Sequence, residues 1–290
     1  MRHSQLKAFH HVALMGGFSR AAEALLLTQP AISEQVRKLE QDHDVLLFHR
    51  ERKRVRLTEA GEQLFLLTKR FFEIEKQIED YMSETSAAID GELRIIADSA
   101  HHVTDILGRF RRRYPDVAIS LRAGNTEDIL EALRAYDAEI GVVGNLPSGK
   151  DMASIDLGAT EITAFAAKGF LPASKKSISL QELAELPLIF RETGSKTRQY
   201  MEEEAAKHAI TLTPVIVAEG REAVREVVAS GAGIGFVSEA EYVQDDRLMK
   251  IRLENLSIRM SETIVHLTQR HDVKVIRAFM ELASAAQIEK

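Results

Sequence analysis

The sequence contains no cysteine, which excludes a disulfide framework, a thiolate metal site and a cysteine nucleophile. Long apolar runs are also missing, since none approaches the roughly 18 residues that a membrane-spanning helix needs. The first residues, MRHSQLKAFHHV, lack the apolar core of a secretory signal peptide. These absences together predict a cytoplasmic protein.

Positive charge is scarce except near the N-terminus. The chain of 290 residues has a net charge of −6, with 38 Lys/Arg against 44 Asp/Glu. Residues 1–65 hold 10 Lys/Arg against 8 Asp/Glu, which leaves 28 against 36 for the rest. The sequence therefore predicts a basic N-terminal segment, residues 1–65, followed by an acidic remainder of the chain.

Residues 17–40 have the pattern of two short helices joined by a tight turn. Ser19 is a candidate N-cap of the first helix, and Thr28, Gln29 and Pro30 interrupt the pattern before the second. Apolar residues then recur at helical spacing through Leu39, so that polar and cationic side chains occupy the other faces. This pattern predicts a helix-turn-helix that reads DNA. The candidate DNA-binding residues are Ser19, Arg20, Gln29, Pro30, Ser33, Gln35, Arg37 and Lys38.

The next segment predicts a wing, a hairpin of two short strands at residues 45–48 and 55–57. Its charges favour contact with DNA phosphates or the minor groove over a merely solvated hairpin, because the hairpin follows a recognition helix. The wing cations predicted to bind DNA are Arg50, Arg52, Lys53 and Arg54.

A long helix is predicted from residue 59 to about residue 88. Apolar residues recur along it in steps of three and four, which is typical of a heptad seam. Packing within one chain is the alternative, but a helix between two domains has few partners inside one chain. We therefore expect a homodimer. The seam residues are Leu64, Leu67, Phe71, Ile74, Ile78 and Tyr81.

From residue 91 strands alternate with helices, which indicates crossover connections and parallel sheets. The predicted strands are residues 93–97, 117–122 and 139–143 in a first set and 186–190, 214–218 and 234–238 in a second. Segments 162–167 and 263–267 are predicted to cross between the sets. The result is two α/β lobes, with lobe I at about 91–162 and 268–290 and lobe II at about 163–267.

The N-terminal pattern resembles the winged helix-turn-helix domain of LysR-type transcriptional regulators over about residues 6–61. The shared blocks are Ser19-Arg20-Ala21-Ala22, Thr28-Gln29-Pro30-Ala31-Ile32-Ser33, Leu39-Glu40, Leu47-Phe48 and Leu57-Thr58-Glu59-Ala60-Gly61. Asp44 departs from the family, which usually has a glycine there. The two lobes resemble the periplasmic-binding-protein-like effector domain of the same family.

The resemblance implies an all-α winged helix-turn-helix at residues 1–58, a dimerisation helix and hinge at 59–90, and an α/β effector-binding domain at 91–290. It also implies four kinds of partner: double-stranded operator DNA, a small-molecule effector, RNA polymerase, and further copies of the chain in a homodimer or homotetramer. No cofactor and no enzymatic activity are expected. The alternatives are an enzyme or a solute-binding module fused to a DNA-binding head.

A ligand of an open α/β sheet binds beyond the carboxyl ends of the strands, where helix N-termini expose N–H groups. The loops there carry hydroxyls and arginines, which favours a small anion, although each residue has an alternative role as a helix cap or ion-pair partner. By resemblance, Ser99, Thr126 and the residues around Ser195 occupy effector-contacting positions. The candidate effector-binding residues are Ser99, Asn125, Thr126, Arg191, Thr193, Ser195, Thr197, Arg198 and Glu219.

The chain also resembles the LysR subgroup associated with aminoethylphosphonate catabolism. That resemblance implies 2-aminoethylphosphonate or a related phosphonate as effector, with Asp98 and Glu219 available to hold its amine.

Several histidines are predicted to have no functional role. His10 and His11 are expected to be ordinary surface or boundary residues. His101 and His102 are not predicted to bind a metal, because helix neighbours at i and i+1 point apart and no second ligand cluster has recognisable spacing.

Overall fold

The computed structural model describes residues 1–50, 55–82, 89–144, 146 and 149–288; the side chains of Arg50, Asp80, Tyr81 and Ile288 also lie outside the description. The chain divides into two compact units, Met1–Ala87 and Ala88–Lys290. Within the described ranges, no helix is long and apolar enough to cross a membrane.

The N-terminal unit is a winged helix-turn-helix followed by a long helix, as predicted. Its elements are α1 (His3–Met15), α2 (Phe18–Ala24), α3 (Gln29–Asp42), β1 (Phe48–Arg50), β2 (Val55–Leu57) and α4 (Glu59–Met82). Helical spacing turns one apolar side of each short helix inward, and Phe9, Ile32 and Leu39 are almost completely buried in the resulting core. The two strands pair antiparallel, with Phe48 opposite Leu57.

Two predicted details of this unit are wrong. α2 begins at Phe18 with Gly17 in the N-cap position, so Ser19 lies inside the helix and does not cap it. The first wing strand begins at Phe48 and not at residue 45. The preceding segment is held instead by α3, since Glu40 Oε1 accepts a hydrogen bond of 2.9 Å from the backbone N–H of Leu47.

Asp44 follows α3 in the left-handed conformation, with a φ of 49°. Aspartate tolerates this conformation better than most residues because its short polar side chain can hydrogen-bond locally. Asp44 therefore takes the left-handed conformation at the position where the family usually has a glycine.

His10 is buried, contrary to the prediction. Its Nδ1 lies 3.0 Å from Thr68 Oγ1 on α4. Burial, followed by the nearby charges of His11 and Lys69, lowers the pKa of His10 to about 4. The histidine is thus a neutral part of the core at physiological pH.

The C-terminal unit is an α/β structure with two lobes. Its elements are β3 (Gly91–Ala97), α5 (Thr104–Arg113), β4 (Val117–Ala123), α6 (Thr126–Arg134), β5 (Ile140–Gly144), β6 (Met152–Ala167), β7 (Ser177–Ile178), α7 (Leu180–Ala184), β8 (Leu188–Arg191), α8 (Lys196–Lys207), β9 (Pro214–Ala218), α9 (Arg221–Ala229), β10 (Ile234–Ser238), β11 (Leu248–Leu253), β12 (Arg259–Leu267) and α10 (Lys274–Ile288). Short 3-10 helices follow β3, at Ala100–Val103, and β10, at Glu239–Glu241.

The main sheet has the strand order β4-β3-β5-β12-β6-β10-β8-β9. The β3, β4 and β5 strands of lobe I pair parallel, as do β8, β9 and β10 of lobe II, which confirms the predicted crossovers. Each lobe has its own apolar core, around Phe110 and Phe279 in lobe I and around Phe190 and Phe236 in lobe II.

The two crossing strands are longer than predicted. β6 has 16 residues and pairs with β12 in one lobe and β10 in the other. Its first ten residues are half-buried or exposed to solvent, whereas its last six residues are all buried. Only the buried half has the continuous apolar pattern by which a sequence indicates a central strand. The prediction also missed β7, α7 and β11.

Candidate functional site

The recognition helix α3 is held in place by an N-terminal cap and by apolar side chains that pack into the core. Thr28 occupies the N-cap position, and its Oγ1 accepts from the backbone N–H of Ala31 at 3.4 Å. Ile32, Val36 and Leu39 bury the opposite side. Among the predicted DNA-binding residues, Ser33 and Gln35 are half-buried. Those that are exposed are Ser19, Arg20, Gln29, Pro30, Arg37 and Lys38.

Glu34, which was not singled out from the sequence, organises the cations of α3. Arg37 donates to its carboxylate at 2.7 and 2.8 Å, and Lys38 Nζ lies 3.4 Å away. The hydrogen bonds from Arg37 hold the pKa of Glu34 at about 2. Exposed ion pairs of this kind contribute little to stability. A DNA phosphate can therefore replace Glu34 as the partner of the Arg37 guanidinium at a small cost in free energy.

The wing is described only in part. Its strands β1 and β2 are present, but the predicted cations Arg52, Lys53 and Arg54 and the side chain of Arg50 lie outside the described residues. Their role in DNA binding stays a prediction.

The predicted seam of α4 is uncovered along most of its length. Leu67, Phe71, Ile74 and Ile78 are 59, 44, 52 and 59% exposed. Leu64 differs from them because it packs against the core of the winged helix-turn-helix. Tyr81 belongs to the side chains that are not described. A row of half-exposed apolar side chains on one helix is the surface expected of an interaction interface.

The two lobes approach one another at predicted effector residues, where the loop before Ser195 meets Asn125. Gly194, in the loop between β8 and α8, has a φ of +92°, and a Cβ there would lie 2.8 Å from Asn125 Oδ1 in the other lobe. Glycine is therefore required both by the backbone and by the close approach. The first residues of α6 and α8 therefore lie close to one another, and we call this region the interlobe cleft.

The polar side chains of the interlobe cleft differ in the hydrogen bonds that they make. Asn125 is a helix cap, since its Oδ1 accepts from the backbone N–H of Asp128 at 3.0 Å. Thr126 Oγ1 donates to the carbonyl of Gly144 at 3.3 Å, and Thr197 Oγ1 lies 3.6 Å from Met260 Sδ.

Ser195 stands apart from these residues. It is 1% exposed and occupies the N-cap position of α8, yet it makes no capping hydrogen bond. Within the described part of the chain, its buried Oγ has no hydrogen-bond partner. A buried hydroxyl without a partner costs free energy, which favours a ligand partner for Ser195. Ser99, after β3, is also buried.

The two candidate arginines are already paired. Arg191 is buried and donates both to Asp98 and to Glu192, which also leaves Asp98 occupied instead of free for an amine. Arg198 pairs with Glu202 and donates to the carbonyl of Arg191. Thr193 and Glu219 are exposed. An anion could recruit these arginines only by exchange with their carboxylates.

A second charged group, which the sequence analysis missed, lies beside the Asp98–Arg191 pair. Arg221 Nη1 is 2.6 Å from Glu241 Oε1, and His102 Nε2 is 3.2 Å from the same oxygen. Glu262, on β12, lies 3.9 Å from His102. Burial, followed by the charges of Glu241 and Asp98, raises the pKa of Glu262 to about 9. No local spacing connects these residues, so the sequence held no signal for them.

Comparisons with known families fit this architecture. Residues 3–62 match the model described as "Bacterial regulatory helix-turn-helix protein, lysR family", and residues 86–287 match "LysR substrate binding domain". The chain therefore belongs to the LysR family of DNA-binding transcriptional regulators. Its relatives are regulators, so the chain is not an enzyme.

Three similar proteins illustrate the match. The HTH-type transcriptional activator CmpR of Synechocystis is 31% identical over 236 residues, which is 81% of this chain and 78% of that protein. The crystal structure of full-length CbnR with its target DNA has a TM-score of 0.67 at 19% identity and covers 99% of this chain and 100% of that one. The regulatory domain of CcmR from Synechocystis, in complex with 2-PG, has a TM-score of 0.61 at 20% identity and covers 68% of this chain and 98% of that one. At these identities the two structures establish the fold alone.

Proposed function

We propose that the chain is a regulator whose contact with operator DNA changes when a small anion binds in the interlobe cleft. The observation that carries the proposal is the buried, unpartnered Oγ of Ser195 at the start of α8. The free N–H groups and the dipole of this helix favour an anion at the same place.

The cleft also supports a switching mechanism. Ser99 and Thr126 come from lobe I, whereas Ser195 and Thr197 come from lobe II. An anion that contacts both lobes binds their closed arrangement more tightly than an open one. It therefore shifts the equilibrium between them by that difference in affinity and no more.

DNA binding is proposed to use α3 and the wing, in a homodimer assembled through the exposed seam of α4. Gln29, Ser33 and Arg37 would contact bases or the adjacent backbone, and the wing cations would contribute sequence-independent attraction to phosphates. A further homotetramer, contact with RNA polymerase and a cytoplasmic location belong to the same proposal and follow from the resemblance to the family.

The identity of the anion is a narrower question. The subgroup associated with aminoethylphosphonate gains no support from the family models or from the named relatives. The pairing of Asp98 with Arg191 also occupies one of the two groups expected to hold an amine. We therefore propose a small anion and keep 2-aminoethylphosphonate as one test compound beside phosphate, sulfate and 2-PG, the molecule bound to CcmR.

Thermal unfolding of the full-length protein in the presence of each compound tests the site. A ligand at one hundred times its Kd stabilises the native state by about 2.7 kcal/mol. Ser195→Ala removes a hydrogen bond to a charged ligand, so we expect its apparent Kd to rise by roughly tenfold or more.

Ser179→Ala is the matched control, because Ser179 is also an N-cap serine but its Oγ accepts from Glu182 N at 3.3 Å. This control should lose about 1 kcal/mol of stability without ligand and keep the full ligand-induced shift. An unchanged Kd for Ser195→Ala would place the anion elsewhere.

A further inference from the structure

Three side chains from distant parts of the C-terminal unit converge beside the interlobe cleft. His102 belongs to the 3-10 helix after β3, Glu241 to the 3-10 helix after β10, and Glu262 to the crossing strand β12. We call these three residues the His102 cluster. It joins lobe I, through His102, to lobe II, through Glu241.

The His102 cluster is compact and buried. One ligand atom from each side chain lies within 4.8 Å of the others. The His102 Nε2 atom is 3.2 Å from Glu241 Oε1 and 3.9 Å from Glu262 Oε1. The side chains are 11% exposed for His102, 1% for Glu241 and 3% for Glu262.

Glu262 lacks the partners that a buried carboxylate requires. Among the residues that the structure describes, neither of its oxygens has a hydrogen-bond partner, and neither has Glu241 Oε2. Taking a carboxylate out of water without hydrogen bonds or a counter-charge is strongly unfavourable. The group must therefore hold a proton or face a cation.

The surrounding charges do not supply that cation. Arg191 pairs with Asp98 and Glu192, and Arg221 pairs with Glu241 and lies 3.7 Å from Asp98. With Glu262 included, four carboxylates face two arginines. With Glu262 ionised and His102 neutral, as both would be when they bind a metal, the group has an excess of two negative charges, which one divalent cation would balance.

We propose that His102, Glu241 and Glu262 bind a divalent transition-metal ion of the Zn²⁺ type. One imidazole nitrogen and two carboxylates suit such an ion, with metal-to-ligand distances of roughly 2.0–2.2 Å. Tetrahedral coordination at these metal-to-ligand distances separates the ligand atoms by about 3.4 Å. Side-chain movements of about 1 Å would therefore bring the three ligand atoms into contact with one ion. The ion would replace the direct contact between His102 and Glu241.

A cleft adjoins one side of the His102 cluster. A cleft of about 400 Å³, including its open mouth, is lined by Glu241 together with Arg221, Tyr242 and Val243. Glu241, one of the three proposed ligands, thus borders an opening. Because its ligands come from both lobes, the bound ion would fasten one to the other. The inference goes beyond the proposed function, since it requires neither an anion nor DNA.

Metal binding is tested on the full-length protein after treatment with EDTA and dialysis. ZnCl2 affinity is measured by titration calorimetry, and CoCl2 is added to reveal the absorption bands of a protein-bound ion. We expect one tight site per chain in the wild type. Glu262→Gln and His102→Gln should each weaken it at least tenfold, whereas His101→Gln, at the exposed neighbouring histidine, should bind like the wild type.

Two results would overturn the proposal. The first is the absence of a tight site in the wild type. The second is equal binding by wild type, Glu262→Gln and His102→Gln, which would mean adventitious binding to other histidines. Misfolding is controlled by thermal unfolding in EDTA, where Glu262→Gln should be at least as stable as the wild type because it removes a buried unpartnered carboxylate. Ser195→Ala should keep the metal site, which separates this test from that of the anion.

Discussion

Removing one partner of the buried Arg191–Asp98 pair should strongly destabilise the C-terminal unit. Asp98 is 0% exposed at its side chain and Arg191 is 5% exposed. Arg191→Ala leaves the carboxylate of Asp98 without its closest partner in a low-dielectric environment. Breaking a buried pair in this way costs about 3–5 kcal/mol. Arg221, at 3.7 Å from Asp98, compensates in part, so we expect about 3 kcal/mol.

Urea unfolding measures this loss. The chain has no tryptophan, so tyrosine fluorescence is the probe, and all tyrosines except Tyr81 lie in the C-terminal unit. With a denaturant slope of roughly 2 kcal/mol per molar urea, the midpoint should fall by about 1.5 M.

Arg198→Ala is the matched control for Arg191→Ala. Arg198 is 21% exposed and its partner Glu202 is 43% exposed, so losing this ion pair together with the hydrogen bond to the carbonyl of Arg191 should cost roughly 1 kcal/mol. Replacing both members of the buried pair, as Arg191→Met with Asp98→Asn, should recover much of the stability. If Arg191→Ala lost no more stability than Arg198→Ala, the assignment of a buried interlobe ion pair would be refuted.

Two further predictions concern the N-terminal unit. In a dimer formed through the seam of α4, Phe71→Glu places two like charges opposite each other, so this variant should sediment as a monomer. The control Leu14→Glu changes another exposed apolar residue and should remain a dimer. A dimeric Phe71→Glu would show that the seam is not the dimer interface. Burial lowers the pKa of His10 from 6.5 to about 4, so the unfolded state binds more protons between these values. Stability should therefore fall as the pH drops from about 6.5 to about 4, with a slope of up to about 1.4 kcal/mol per pH unit. His10→Gln should remove this component, and equal pH profiles of the two proteins would contradict the buried neutral His10.

Local signals made the N-terminal unit predictable. Thr28 and Pro30 define the start of the recognition helix through chemistry that acts within a few residues. The error at residues 45–48 arose because Glu40 holds the backbone at Leu47. A side-chain hydrogen bond of this kind competes with strand pairing and leaves no periodic pattern in the sequence.

The interlobe region was predictable only as a set of loops. The rule that ligands bind beyond the carboxyl ends of strands brought Ser99, Thr126 and Ser195 to one place. Which charges pair there depends on contacts between residues far apart in the chain, such as Arg191 with Asp98 at a separation of 93 positions. The same is true of His102 and Glu241, which are 139 positions apart. Spacing rules for metal ligands do not extend over such distances.

A footprint of the DNA upstream of the protein's own gene tests the central claim most directly. The anion that stabilises the protein is added to wild type and to Ser195→Ala at the same concentration. The wild type should protect two half-sites and change its protection pattern with the anion, whereas Ser195→Ala should protect the same DNA without the anion and show no change at that concentration. The absence of specific protection over competitor DNA, or an equal response of Ser195→Ala, would contradict a regulator switched through the interlobe cleft.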